Sequence, residues 1–154
     1  MMKSSKDRNS IPNLRQSFHK LGHRFTNQRE SIWQLFSDTP NGYTIPDAAD
    51  VLRKKGIGHA TVYRTVKTLQ KLGRLHWVHD KNGEHRFVAR HASHSHMLTC
   101  RSCGQVVEFE SCNLTLLEKL LALETGYRIE GHDLELYGLC PQCRPANRPQ
   151  GAAT

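Results

Sequence analysis

Two Cys-x-x-Cys pairs, Cys100-Arg-Ser-Cys103 and Cys140-Pro-Gln-Cys143, constrain this chain more than any other feature in it. Each pair can bite a cation from one tight turn, and four thiolates are what a closed tetrahedral Zn²⁺ site requires. The stretch between the pairs is longer than a compact zinc ribbon allows. It must therefore fold as a small unit whose two ends the ion clips together, one structural Zn²⁺ per subunit. Cys112, the fifth cysteine, has no partner at ligand spacing and is expected to be a bystander thiol. Disulfides are the competing use of these cysteines. Met1 to Ser10 is polar and basic, without the apolar stretch of a secretory signal, so a reducing cytoplasm and metal ligation are expected instead. No apolar run approaches a membrane span.

Charge divides the chain. Its 154 residues carry a net charge of +8, and the acidic residues gather in the second half. Nucleic acid, or another anionic surface, is the expected partner of the first half. A chain of this length can form one domain or two small ones. Two half-size units would each need a metal or a second subunit to be stable.

The hydrophobic periodicity orders the elements. Residues 1–10 read as a disordered basic arm. Ile11, Leu14, Phe18 and Leu21 fall at helical spacing up to Gly22, and Thr26 offers an N-cap to a second helix with Ile32, Trp33, Leu35 and Phe36 inward. A short third helix runs from Asp47 to Lys55. After Gly56-Ile-Gly58, a fourth covers about Ala60 to Leu72, with Val62, Val66 and Leu69 inward and Arg64, Lys67 and Lys71 outward. A short helix, a glycine turn and a basic amphipathic helix make a helix-turn-helix. Leu75–Val78 and Arg86–Val88 flank Asn82-Gly83, the strongest hairpin signal present, so the hairpin reads as a wing.

The chain changes character around 89–93, the expected hinge. Beyond it, 97–98, 106–109, 127–129 and 134–139 read as strands. Leu114 to Leu123 reads as a helix with Leu117, Leu120 and Leu121 inward. The fold class is thus α+β: a winged helix-turn-helix domain at 11–89, and a zinc-stapled α/β dimerisation and metal-sensing domain at 90–144. A flexible tail follows at 145–154. The exposed sheet edge and leucine face suit a homodimer.

A zinc enzyme is excluded at this level. A nucleic-acid deaminase needs H-x-E beside its cysteines and a metalloprotease needs H-E-x-x-H, and neither pattern occurs. Four cysteines also leave the first ion no open position for water.

Several short stretches together carry a family likeness: Gly22-His-Arg-Phe-Thr-Asn-Gln-Arg29, Ala60-Thr61-Val-Tyr63-Arg64, the histidine-rich segment ending in Cys100-x-x-Cys103-Gly104, Gly126-Tyr-x-Ile129, His132, and Leu136-Tyr-Gly-Leu-Cys140. Along nearly its whole length the chain resembles the ferric uptake regulator family of metal-sensing repressors. The resemblance implies a homodimer that represses metal-uptake genes from double-stranded operator DNA, with a regulatory metal between the domains and no small-molecule substrate beyond metal ions. Tyr63 and Arg64 match its recognition-helix pair and Arg24 its minor-groove residue, while Arg29, Thr61 and Lys67 share those DNA-facing stretches. Independently, a tyrosine ring can contact a thymine methyl, and an arginine can pair with phosphate or a base edge.

His94, His96, Glu108 and His132 fall on the family's regulatory-ligand positions. The i, i+2 spacing of His94 and His96 would also send both imidazoles to one face of a strand. The chain departs from the family at Tyr43, Val88, Ser95, Met97 and Thr115, where other members carry further ligands. Either one site is lost, or wing histidines such as His76, His79 or His85 fill the gap. An imidazole-rich, carboxylate-poor set suits Zn²⁺ better than Fe²⁺, and the terminal Cys-x-x-Cys resembles the zinc uptake regulator branch. Zn²⁺ is therefore the expected regulatory ion. An iron, manganese, nickel or peroxide sensor is the alternative, as is a zinc-stapled DNA-binding module without sensing.

Overall fold

A computed structural model describes residues 9–80, 82–91, 94–110 and 112–145. Most of the expected basic arm and tail, and the last two residues of the expected hinge, lie outside the described residues. Four helices come first: α1 (Ile11–Lys20), α2 (Asn27–Ser37), α3 (Ile45–Arg53) and α4 (His59–Lys71). They are followed by an antiparallel hairpin of β1 (Leu75–His79) and β2 (His85–Ala89). Leu14, Phe18, Ile32, Phe36, Leu52, Val62, Val66 and Leu69 are fully buried and form one core under α1–α4, closed by Leu75 and Phe87 of the hairpin.

Local chemistry sets the boundaries of these elements. The hydroxyls of Thr26 and Thr44 accept from the amides of Arg29 and Asp47, satisfying free donors at the starts of α2 and α3. Pro46 explains why α3 begins at Ile45, earlier than expected, since proline suits a first helical turn. The hairpin turn is organised by Asp80, whose carboxylate accepts from the amides of Asn82 and Glu84. Tyr43 bridges to Phe87 and gives the wing a partial third strand. Gly42 permits that approach. Its φ is +64°, and a Cβ there would lie 2.0 Å from the Phe87 carbonyl oxygen.

The second unit comprises β3 (His96–Cys100), β4 (Val106–Phe109), α5 (Thr115–Thr125) and β5 (Glu135–Gly138). The sheet order is β4-β3-β5, with β3 antiparallel to β4 and parallel to β5. The fold is α+β, a winged helix-turn-helix followed by a small α/β unit. Val78, Val88 and Met97 form a separate buried cluster where the two units meet. There the Asn41 side chain accepts from the Val106 amide at 3.1 Å, and Glu135 accepts from the His79 amide at 2.8 Å.

Two sequence expectations fail here. Residues 127–129 form no strand, because no segment among the described residues supplies a ladder for them. The leucines of α5 do not face inward: Leu117, Leu120 and Leu121 are exposed, Leu123 is 83% exposed, and α5 buries none of its residues. The helix ends as the sequence suggests, with Gly126 at φ +72° closing it on the Ala122 carbonyl.

Candidate metal centres

Parallel pairing of β3 with β5 places Cys100 opposite Gly138, so both strands deliver their knuckles to the same end of the sheet. The four sulfurs of Cys100, Cys103, Cys140 and Cys143 all lie within 4.8 Å of one another, and Cys103 Sγ is 3.7 Å from Cys140 Sγ. A Zn–S bond of about 2.3 Å implies a tetrahedral edge of about 3.8 Å, so the set fits Zn²⁺. The Cys140 amide points at Cys100 Sγ from 3.3 Å. Donation from the Cys103 and Cys140 backbones lowers the Cys100 thiol to about 6, which favours the thiolate. Cys143 is pushed up to about 11: Ser102 pulls it down, but its cysteine neighbours and burial outweigh that pull. Four crowded thiols can all ionise together only around a cation.

A second cluster lies at the other end of β3. His96 Nε2 is 3.3 Å from His94 Nε2 and 3.2 Å from His132 Nε2, and Cys112 Sγ is 3.3 Å from His132 Nε2. All four donor atoms lie within 4.8 Å of one another. Zn–N bonds of 2.0–2.1 Å give a tetrahedral edge of about 3.3 Å, which these two nitrogen separations match. His96 is only 2% exposed. Burial, aided by the neighbouring His94, His132 and Arg90, holds its imidazole below the ordinary histidine range, and Leu134 acts weakly the other way. A neutral imidazole is the ligating form. His132 Nδ1 lies 2.7 Å from Glu118 Oε1, an outer partner that leaves Nε2 free to face the cluster.

Cys112, expected as a bystander thiol, lies among these donor atoms. The segment before α5 carries it to the histidines, and no spacing motif announces that approach. Glu108, expected as a regulatory ligand, is not brought to this cluster. Strand alternation pairs Phe109 with His96 and Glu108 with Met97, so Glu108 faces away from the cluster. Its carboxylate instead accepts from the His91 amide and the Ser95 hydroxyl. His76 and His85 reach neither cluster. They stack on Trp77, with centroids 5.9 and 4.6 Å away. Burial and Arg90 lower the His76 imidazole, outweighing Asp133 and Glu135. His79 Nδ1 turns to Glu135 at 3.2 Å and the Tyr137 hydroxyl at 3.0 Å. Burial raises the Glu135 carboxyl, but bonds from Tyr137 and His79 bring it below its usual range; Tyr137 is pushed up to about 12 by burial and Glu135.

On the helical unit, Tyr63 is 47% exposed and Arg64 and Lys67 point outward, the Lys67 ammonium resting 5.8 Å from the Tyr63 ring. Arg24, Arg29, Thr61 and Arg64 line one concave surface between the α1–α2 loop and the start of α4. Arg29 is partly committed there, donating to the Arg24 carbonyl and lying over Phe18. No helix among the described residues is long and apolar enough to cross a membrane.

A winged helix with an exposed basic α4, joined to a unit with two sets of donors spaced for metal, defines a metal-responsive transcription regulator. The profile of the ferric uptake regulator family matches residues 20–137, leaving the second cysteine knuckle outside the match. The ferric uptake regulation protein of Neisseria meningitidis is 31% identical over 139 residues, covering 88% of this chain and 94% of that protein. The Vibrio cholerae ferric uptake regulator is 26% identical, with a TM-score of 0.60 over 82% of this chain and 99% of that one. A zinc uptake regulator complexed with zinc and DNA shares the fold at 23% identity, with a TM-score of 0.69 over 91% and 95% of the two chains. The chain belongs to the ferric uptake regulator family, whose members regulate transcription in response to metal and are not enzymes.

Proposed function

We propose that this chain is a homodimeric, zinc-responsive repressor that grips an operator when its second cluster is filled. The carrying observation is the donor set of that cluster: three imidazole nitrogens 3.2–3.3 Å apart along His94, His96 and His132, with the Cys112 sulfur beside them. One thiolate and three neutral imidazoles form a soft, carboxylate-free set that favours Zn²⁺ over Fe²⁺ or Mn²⁺. The thiolate cluster, closed by four cysteines, takes the structural Zn²⁺. A bound ion in the second cluster supplies a cross-link between the start of β3, the segment before α5 and the loop before β5.

Homodimer formation is supported by the family and by the unburied leucines of α5. Operator binding is supported by the outward Tyr63, Arg64 and Lys67 and by the concave face of Arg24, Arg29 and Thr61. Two such faces related by a two-fold axis call for an inverted repeat, read here as AT-rich, with affinity falling steeply as salt rises. Regulation needs only that the ion favour the DNA-competent arrangement, and a coupling of about 1–3 kcal/mol is typical.

The test is a titration of protein holding only its structural ion with Zn²⁺, Fe²⁺ or Mn²⁺, followed by operator binding. Zn²⁺ should tighten binding about tenfold or more at the lowest free concentration. Activation by Fe²⁺ at concentrations where added Zn²⁺ does nothing would overturn the zinc assignment. Binding indifferent to every ion would overturn sensing itself.

A further inference from the structure

Among the described residues, the side-chain hydrogen bond that ties α5 to another element runs to one imidazole. The helix buries none of its residues, and Leu116, Leu117, Leu120, Leu121 and Leu123 are all exposed. Glu118, in its first turn, meets His132 Nδ1 at 2.7 Å, and Cys112, just ahead of the helix, meets His132 Nε2 at 3.3 Å. Among the described residues, no other side-chain hydrogen bond or ion pair of this helix reaches a different element.

His132 is therefore two-sided. Its Nε2 belongs to the donor cluster, while its Nδ1 belongs to the helix. An imidazole that ligates through Nε2 must carry its proton on Nδ1, and there the proton has one acceptor, the Glu118 carboxylate. Without ligation the proton can sit on either nitrogen, and only the Nδ1–H tautomer donates to Glu118. Cys112 adds a second tether on the approach to α5. Filling the cluster thus fixes the first turn of α5, and with it the direction in which the five leucines point.

We propose that Glu118 is a positioning residue, acting through His132, that links occupancy of the second cluster to seating of α5 and so to pairing of two copies of this chain. The inference rests on the reading of that cluster as a metal site and of the chain as a homodimer. By linkage the effect runs both ways: whatever factor the ion adds to pairing, pairing adds to affinity for the ion.

The experiment uses the full chain with its structural Zn²⁺ retained. The second cluster is emptied by a mild chelator or refilled with one equivalent of Zn²⁺, and the metal content of each sample is measured. Sedimentation equilibrium then gives the dimer dissociation constant in both states. Wild type should pair at least tenfold more tightly when refilled. Glu118→Ala should bind the second ion about 10–100-fold more weakly and, when saturated with it, pair no better than its emptied form. Glu118→Gln, which keeps an oxygen acceptor for Nδ1–H, should recover part of the difference. A helix-stabilising role alone would weaken pairing equally in both states and leave the difference intact, which would overturn the proposal. So would a wild-type dimer constant unchanged by an ion that metal analysis shows to be bound, a result obtainable even if Glu118→Ala fails to fold. If no second ion binds at all, the underlying metal-site reading fails with it, and the metal analysis separates that case.

Discussion

The thiolate cluster and the imidazole cluster sit at opposite ends of β3 and are built in contrasting ways. The first is anchored by regular structure. Cys100 closes β3, Cys140 follows β5, and the parallel ladder between those strands fixes how far apart the knuckles can be. Backbone amides of the knuckles themselves hold the Cys100 sulfur. The second draws its donors from four places, of which only His96 lies in a strand. His94 precedes β3, Cys112 precedes α5 and His132 precedes β5. A cluster set by a ladder is suited to permanent stapling, whereas one gathered from segments outside the ladder can be coupled to movement of those segments.

That contrast can be broken most forcefully at Cys100. Cys100→Ser should remove one Zn²⁺ per chain by elemental analysis and abolish cooperative unfolding of the C-terminal unit, because structural zinc contributes about 10–16 kcal/mol in small domains. A variant that keeps its cooperative melt would show that the ladder, not the ion, holds this end of the sheet. His96→Ala should leave the structural Zn²⁺ and the winged helix in place while lowering affinity for the second ion about 100-fold or more. Operator binding measured with and without added Zn²⁺ should then coincide. If His96→Ala instead loses both ions, the clusters are not separable.

Cys112→Ser gives a smaller change that sharpens the assignment of donors. With Zn²⁺ in the thiolate cluster and Co²⁺ in the second, the sulfur-to-cobalt charge-transfer absorption should disappear in the variant. Zn²⁺ affinity should fall about 10–100-fold while Mn²⁺ affinity changes little. The smallest effect is expected at His76. Burial and Arg90 lower its imidazole in the folded chain, so below about pH 6.5 the unfolded chain takes up a proton that the folded chain does not. Stability should decline as pH falls through that range, and His76→Asn should flatten the decline, seen as a gentler pH dependence of the urea midpoint. Loss of metal affinity in the same variant would instead return His76 to the ligands.

The thiolate cluster was legible because its chemistry is written in spacing: two Cys-x-x-Cys turns announce themselves in one dimension. The helix-turn-helix and wing were legible for a similar reason, since Val62, Val66 and Leu69 follow a 3.6-residue period and Asn82-Gly83 marks a turn. Cys112 was not, because a lone cysteine has no spacing to read and reaches His132 only through tertiary folding. For Glu108 the resemblance transfers a position, while the strand's two-residue alternation decides which face its carboxylate takes. The leucines of α5 have helical periodicity, but periodicity identifies an apolar face without saying which surface covers it.

The Glu135 carboxylate gives the molecule a rudder line. It holds both the amide and the ring of His79 at the root of the wing turn, and it lies on the strand that begins three residues after His132 and leads into the Cys140 knuckle. With its acidity strengthened by Tyr137 and His79, this side chain keeps its negative charge through the neutral range. Together with the Tyr137 hydroxyl on the same strand and the Val78, Val88 and Met97 cluster behind it, this side chain ties the root of the hairpin to the sheet.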